Sequence, residues 1–247
     1  MTAGVTAQNR TVDSPIELAQ HVADWIVERS RERRERCAIC LSGGSTPKPV
    51  YELLAKSPRR ERFPWERTHW FWGDERVVPH DDTRSNFHMA REALLRHAPA
   101  PAENIHAVPT GPMPPAACAA RYEDTLKRFY GADTLDARRP LFDILLLGLG
   151  DDGHIASLFP GSPALAETAR WVIPVVGESA LDRISLTYPA LESSRAVAFI
   201  VAGTAKRDVL ARVRDGDRAL PAARLRPAGT VYWFTDRAAN PVRQGAM

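Results

Sequence analysis

Long apolar runs, cysteine and lysine are all scarce in this chain, and each shortage excludes something. No stretch approaches the roughly 20 apolar residues that a membrane-spanning helix needs. The longest apolar runs, near Ile144–Leu149 and Ala196–Ala202, have the length of strands. Three cysteines in 247 residues make no disulfide scaffold, and an odd number argues against complete pairing. Only four lysines, Lys48, Lys56, Lys127 and Lys206, stand among the 33 basic residues. Thirty acidic residues nearly balance these, and a net charge of +3 is too slight to mark a nucleic-acid binder. The first fifteen residues lack the basic and apolar segments of a secretion signal, so a cytoplasmic protein is expected. The seven histidines include neither an HExxH pattern nor paired ligand spacing, and no metal is expected.

What remains is an ordinary globular composition, 44% hydrophobic and 26% charged, at a length that suits one large domain or two small ones. Residues 1–12 are small and polar and read as a loose, flexible tail. Ser14-Pro15-Ile16-Glu17 reads as a helix start, with a capping serine, a proline at the first helical position and Glu17 completing a capping box. Leu18, Val22, Trp25 and Ile26 follow at helical spacing. The charged run Glu28–Arg36 is mixed in sign and reads as a solvated helix face, with Glu32–Arg36 a favourable i,i+4 pair. Strands are expected at Cys37–Leu41, Thr68–Gly73, Phe142–Leu147, Trp171–Val175, Arg183–Thr187, Ala196–Val201 and Thr230–Phe234, with a weak one at Ile105–Val108. Helices are expected at Lys48–Lys56, Arg84–Arg96, Ala116–Tyr130 and Lys206–Val213, and a turn at Asp74–Arg76. Strands alternate with helices, which predicts an α/β fold. Its sheet is single, open and largely parallel, with helices on both faces. No linker interrupts residues 13–247, which are expected to form a single domain.

In open α/β sheets ligands bind beyond the carboxyl ends of the strands. Three polar loops sit there: Ser42–Thr46, Gly73–Arg76 and Gly148–His154. Ser42-Gly43-Gly44-Ser45-Thr46 joins a strand to a helix, and paired glycines let backbone N–H groups approach an anion. An ordinary tight turn, with Thr46 as cap and Pro47 first in the helix, explains the same residues. The spacing is not that of a Walker loop. Gly148-Leu149-Gly150-Asp151-Asp152-Gly153 matches GxGxxG literally, but two adjacent carboxylates would face a pyrophosphate, and the match lies late in the chain. His154 offers another reading: a histidine just past a buried strand can act as general base or acid near neutral pH, oriented by Asp152. Cys37 and Cys40 spell CxxC, yet positions three apart in a strand point to opposite faces, which suits core packing and neither a disulfide nor a shared metal.

With those loops placed, the chain resembles the 6-phosphogluconolactonase family. The resemblance rests on LSGGSTP (41–47), WGDERVVPHDDTRSN (72–86), FDILLLGLGDDGHIASLFPGS (142–162), RISLTYPAL (183–191) and AGTAK (202–206). It implies a Rossmann-like fold of the isomerase/deaminase type and hydrolysis of 6-phospho-D-glucono-1,5-lactone to 6-phosphogluconate, the second step of the oxidative pentose phosphate pathway. By resemblance, His154 activates water, Arg76 stabilises developing negative charge, and Asp74 and Asp152 shape the site. Arg183, Lys206 and Ser42, Gly43, Gly44, Ser45 and Thr46 hold the phosphate. The implied partner is a small phosphosugar lactone, bound by a monomer without nucleic acid or membrane. No cofactor is implied, because an ester carbonyl is already electrophilic.

Two alternatives stay open at this level. Glucosamine-6-phosphate deaminases share the GG[ST]TP loop and a DGH segment, but carry an acidic residue where this chain has Ser157-Leu158-Phe159-Pro160, and Asp-Glu-Tyr where it has Asp74-Glu75-Arg76. A catalytically silent sugar-phosphate sensor would keep the pocket and lose the chemistry.

Overall fold

Three stretches in which every residue is buried, Cys37–Leu41, Ile144–Leu147 and Ala196–Val201, run through the middle of the molecule. Side chains alternate between faces along a strand, so such stretches need cover on both sides, which helices packed on a parallel sheet provide. The computed structural model describes residues 6–240. In chain order its elements are β1 (Ala7–Val12), α1 (Pro15–Glu32), β2 (Cys37–Leu41), α2 (Lys48–Leu54), α3 (Arg59–Arg62), β3 (Thr68–Trp72), β4 (Asp74–Arg76), α4 (Asn86–Ala93), α5 (Pro115–Tyr130), β5 (Ile144–Leu147), β6 (Val172–Val175), β7 (Arg183–Leu186), α6 (Tyr188–Glu192), β8 (Ala196–Val201), α7 (Arg207–Arg214), α8 (Pro221–Arg224) and β9 (Thr230–Asp236).

Six strands form one open parallel sheet in the order β1-β9-β8-β5-β2-β3. The α/β expectation holds, with two additions. Residues 7–12 are no loose tail: they pair with β9 along their whole length, from Ala7 opposite Val231 to Val12 opposite Asp236. Residues 1–5 lie outside the described residues. Nor is there only one sheet. β4, β7 and β6 form a small antiparallel sheet, so Asp74–Arg76, expected as a turn, is a short strand opposite Arg183–Ser185. Gly73 is the joint. Its N–H donates to the carbonyl of Leu41 in the large sheet (3.0 Å), and its own carbonyl accepts from Leu186 N–H in the small one (2.9 Å).

Local signals are met with small shifts. Ser14 Oγ accepts from Glu17 N–H at 3.2 Å, while Glu17 Oε2 accepts from Asp13 N–H at 3.0 Å, one residue earlier than a capping box places it. α1 buries Leu18, Ala19, Val22, Ala23, Ile26 and Val27 and stops at Glu32. Arg36 therefore lies past the helix and donates to the carbonyl of Phe129, while Glu32 pairs with Arg29 instead. Residues 105–108 contribute only a single bridge, Ile105 to Trp70. Cys37, Cys40 and Cys118 are buried free thiols. Burial pushes Cys37 up to about 12, which suits a packing role. No helix among the described residues is long and apolar enough to cross a membrane.

Where strands run into loops, backbone groups lose their ladder partners, and two buried tyrosines replace them. Trp72 closes β3 at the open edge of the large sheet. Its N–H donates to Tyr122 Oη (2.8 Å), and Tyr122 Oη donates to its carbonyl (2.9 Å). Just past β2, Tyr51 Oη does the same for Ser42, accepting from its N–H (3.0 Å) and donating to its carbonyl (2.7 Å). Burial drives both phenols well above their ordinary range, so they stay protonated and can donate. Tyr122→Phe leaves two buried backbone groups unpaired and is expected to cost about 2–4 kcal/mol. Urea denaturation of the variant beside wild type measures it, and a loss within error of zero rejects this account of the sheet edge.

Candidate active site

The carboxyl ends of β2, β3, β5 and β8 open onto one cavity of about 310 Å³. Its first wall is the loop after β2. Gly44 has φ of +99°, a left-handed conformation natural to glycine. Gly43 is required by crowding: a Cβ there would lie 1.9 Å from Asn86 Oδ1. Ser42 Oγ accepts from Gly148 N–H at 3.3 Å and so ties this loop to the one after β5. Helix α2 begins only at Lys48, with Pro47 in the cap position and no capping side chain, so Thr46 is not the cap that a plain turn requires.

The second wall is the glycine-rich loop after β5. Gly150 N–H donates to the carbonyl of His154 and Gly153 N–H to that of Gly150, each at 3.0 Å, folding the segment back on itself. Asp152 Oδ1 receives both the N–H of His154 (3.1 Å) and its ring Nδ1 (2.6 Å). Burial alone would raise the Asp152 pKa, but these hydrogen bonds and the imidazole charge hold it below its ordinary value. A carboxylate at Nδ1 favours the tautomer with its proton there, which leaves Nε2 of the neutral ring unprotonated. The ring packs against Gly150 so closely that a Cβ at that position would fall 2.1 Å from Nδ1 and 2.7 Å from Asp152 Oδ1. Phe159 supports the ring from another side, with centroids 4.9 Å apart.

The third wall comes from the small sheet, whose register sets Asp74 opposite Ser185 and Arg76 opposite Arg183. Asp74 is buried, accepts from Ser157 Oγ (2.7 Å) and Asn86 Nδ2 (3.2 Å), and stands 3.6 Å from the Arg183 guanidinium. Glu75 is fully buried and turned away from the cavity, where it accepts four hydrogen bonds of 2.7–2.9 Å: from Arg76, Asn86 and Phe87 N–H and from Ser85 Oγ. Burial raises its pKa, and those donors partly restore the charged form. Arg76 donates to the carbonyl of Arg84 (2.5 Å), and its buried Nε has no hydrogen-bond partner among the described residues. Burial lowers the Arg183 pKa; Asp74 opposes that and the nearby Arg76 charge adds to it. Two guanidinium groups facing one cavity repel each other, and an anion between them relieves the repulsion. Lys206, just past Gly203 at the end of β8, completes the wall and pairs with Asp151 at 2.6 Å.

The fold thus brings the 42–46 loop, Asp74, Arg76, His154, Arg183 and Lys206 to one cavity. Asp152 is not part of that lining and bonds the histidine instead. Sequence reasoning missed Asn86, Glu75, Tyr51 and Phe159. Asn86 ended one of the segments that carried the family resemblance, but nothing local says that it folds over Gly43. Glu75 stood inside the same segment without a role.

The 13–233 segment matches the family model described as glucosamine-6-phosphate isomerases/6-phosphogluconolactonase. A 6-phosphogluconolactonase from Nostoc sp. is 44% identical over 212 residues, covering 85% of each chain. One from Synechocystis sp. is 40% identical over 228 residues, covering 91% of this chain and 92% of its own. Among solved structures, the 6-phosphogluconolactonase of Trypanosoma cruzi superposes with a TM-score of 0.82 at 30% identity, over 96% of this chain and 97% of that one. A monomeric glucosamine-6-phosphate deaminase superposes with a TM-score of 0.77 at 20% identity, over 94% of this chain and 98% of that one, which shows a shared fold alone. The model match and the identity to these relatives over nearly their whole length place the chain in the glucosamine-6-phosphate isomerase/6-phosphogluconolactonase family.

Proposed function

We propose that the chain hydrolyses 6-phospho-D-glucono-1,5-lactone to 6-phospho-D-gluconate. The observation that carries this reading is one cavity with an oriented imidazole on one wall and three cations on the others. His154, its Nδ1 proton held by Asp152, takes a proton at Nε2 from water as that water attacks the lactone carbonyl. Negative charge then builds on the carbonyl oxygen, where the Arg76 guanidinium stabilises it. The imidazolium returns its proton to the ring oxygen as the C–O bond breaks, giving the open-chain acid. Arg183 and Lys206, with the 42–46 loop, hold the phosphate at the far end. Asp74 does not act on the substrate; pinned by Ser157 and Asn86, it fixes Arg183. Ser157 lies in the stretch where the deaminases carry an acidic residue. Its hydroxyl is already committed to Asp74, which favours the lactonase reading over the deaminase one.

Purified protein is expected to accelerate loss of the phosphorylated lactone above its spontaneous hydrolysis, and to release no ammonia from glucosamine 6-phosphate. His154→Ala is expected to lower kcat by about 100-fold or more; an active variant refutes the assigned base. Gly150→Ala tests the geometry without removing a polar group. Its methyl displaces the ring from Asp152, and a misplacement of about 1 Å costs about 100-fold in rate. A Gly150→Ala protein with wild-type kcat shows that the tight seat of the ring is irrelevant. Arg183→Ala and Lys206→Ala are expected to raise KM for the phosphorylated lactone while leaving unphosphorylated gluconolactone little affected. Equal effects on both substrates remove these residues from the phosphate site.

A further inference from the structure

The two carboxylates that face the cavity's cations are held very differently. Asp74 is buried and fixed by Ser157 and Asn86, so it cannot leave Arg183. The side chain of Asp151 is 80% exposed, and its one described partner is Lys206 Nζ, at 2.6 Å. It sits on the rim of the same turn that carries Asp152 and His154. A lysine ammonium is a compact charge on a flexible stem, and whatever anion approaches it must outcompete the anion already there. Hydrolysis makes that competition matter. The substrate brings one phosphate of charge near −2, and the product brings the same phosphate plus a new carboxylate. A cavity walled by Arg76, Arg183 and Lys206 therefore attracts product more strongly than substrate.

We propose that Asp151 is a displaceable counter-ion for Lys206, which gives way to the incoming phosphate and retakes the lysine as product leaves. The idea rests on the phosphate role given to Lys206 above. Asp151 then loosens every phosphate-bearing ligand of the site, substrate and product alike, and so eases the release of product.

Isothermal titration of 6-phosphogluconate and of inorganic phosphate into wild type, Asp151→Asn, Lys206→Met and the double variant tests this without requiring turnover. An exposed ion pair contributes a modest increment. Asp151→Asn is expected to bind both anions about fivefold more tightly, equivalent to about 1 kcal/mol. In the Lys206→Met background the same substitution is expected to change nothing, since the coupling runs through the ammonium. Steady-state assays are expected to give a matching fall in KM and in the inhibition constant of the product. Unchanged or weaker anion binding in Asp151→Asn overturns the proposal and makes Asp151 a residue that orients Lys206. A gain that persists without the lysine also overturns it, as a general field effect. Wild type that binds 6-phosphogluconate but hydrolyses no lactone defeats the lactonase reading while the Asp151 comparison still stands. Wild type that binds neither anion defeats both.

Discussion

Parallel strands that stop together create a problem of unpaired backbone, and the way this protein solves it determines the rest of its site. At the end of β2 and along the outer edge of β3, N–H and C=O groups without a neighbouring strand need new partners. Side chains provide them one by one. Tyr51 takes both groups of Ser42, Tyr122 takes both groups of Trp72, and Ser42 Oγ takes the N–H of Gly148. Glu75 does the same at the start of α4, accepting from two N–H groups of its first turn, where a carboxylate also meets the positive end of the helix dipole. The loops that reach the cavity are held by hydrogen bonds behind them, which leaves their front faces free for a ligand.

The same division governs charge. Carboxylates that fix the framework, Asp74 and Glu75, are buried and saturated with donors. Asp152 is exposed, but its Oδ1 is likewise occupied, by the backbone and ring of His154. Arg76, Arg183 and Lys206 line the cavity with fewer fixed partners. The site is thus cationic in its cavity although the whole chain is nearly neutral at +3, and steering of a small anion follows from local placement rather than net charge.

Much of this was legible in the residues. Continuous apolar runs mark the buried central strands, Ser14 marks the start of α1, and the glycine-rich ends of β2 and β5 mark the loops of the site. What was not legible depends on contacts between distant segments. Residues 7–12 alternate weakly and look like a tail because an edge strand at the surface carries little apolar signal; only the neighbouring β9 makes them a strand. Asp74–Arg76 looks like a turn because three residues carry no periodicity, and its partner Arg183–Ser185 lies over a hundred residues on. Asn86 over Gly43 and the two tyrosine hydroxyls are likewise invisible to any local pattern, since each replaces a missing strand or side chain from elsewhere in the chain.

Gly73 gives the site a mechanical character of its own. Its N–H belongs to one sheet and its carbonyl to the other, and the residues of the cavity divide along the same line. His154, Lys206 and the 42–46 loop ride on the large sheet, whereas Asp74, Arg76 and Arg183 ride on the small one. A single residue is therefore bonded both to the sheet that carries the histidine and to the sheet that carries Arg76 and Arg183. The gap between imidazole and guanidinium is thus a property of how two sheets lean on each other, not of either sheet alone.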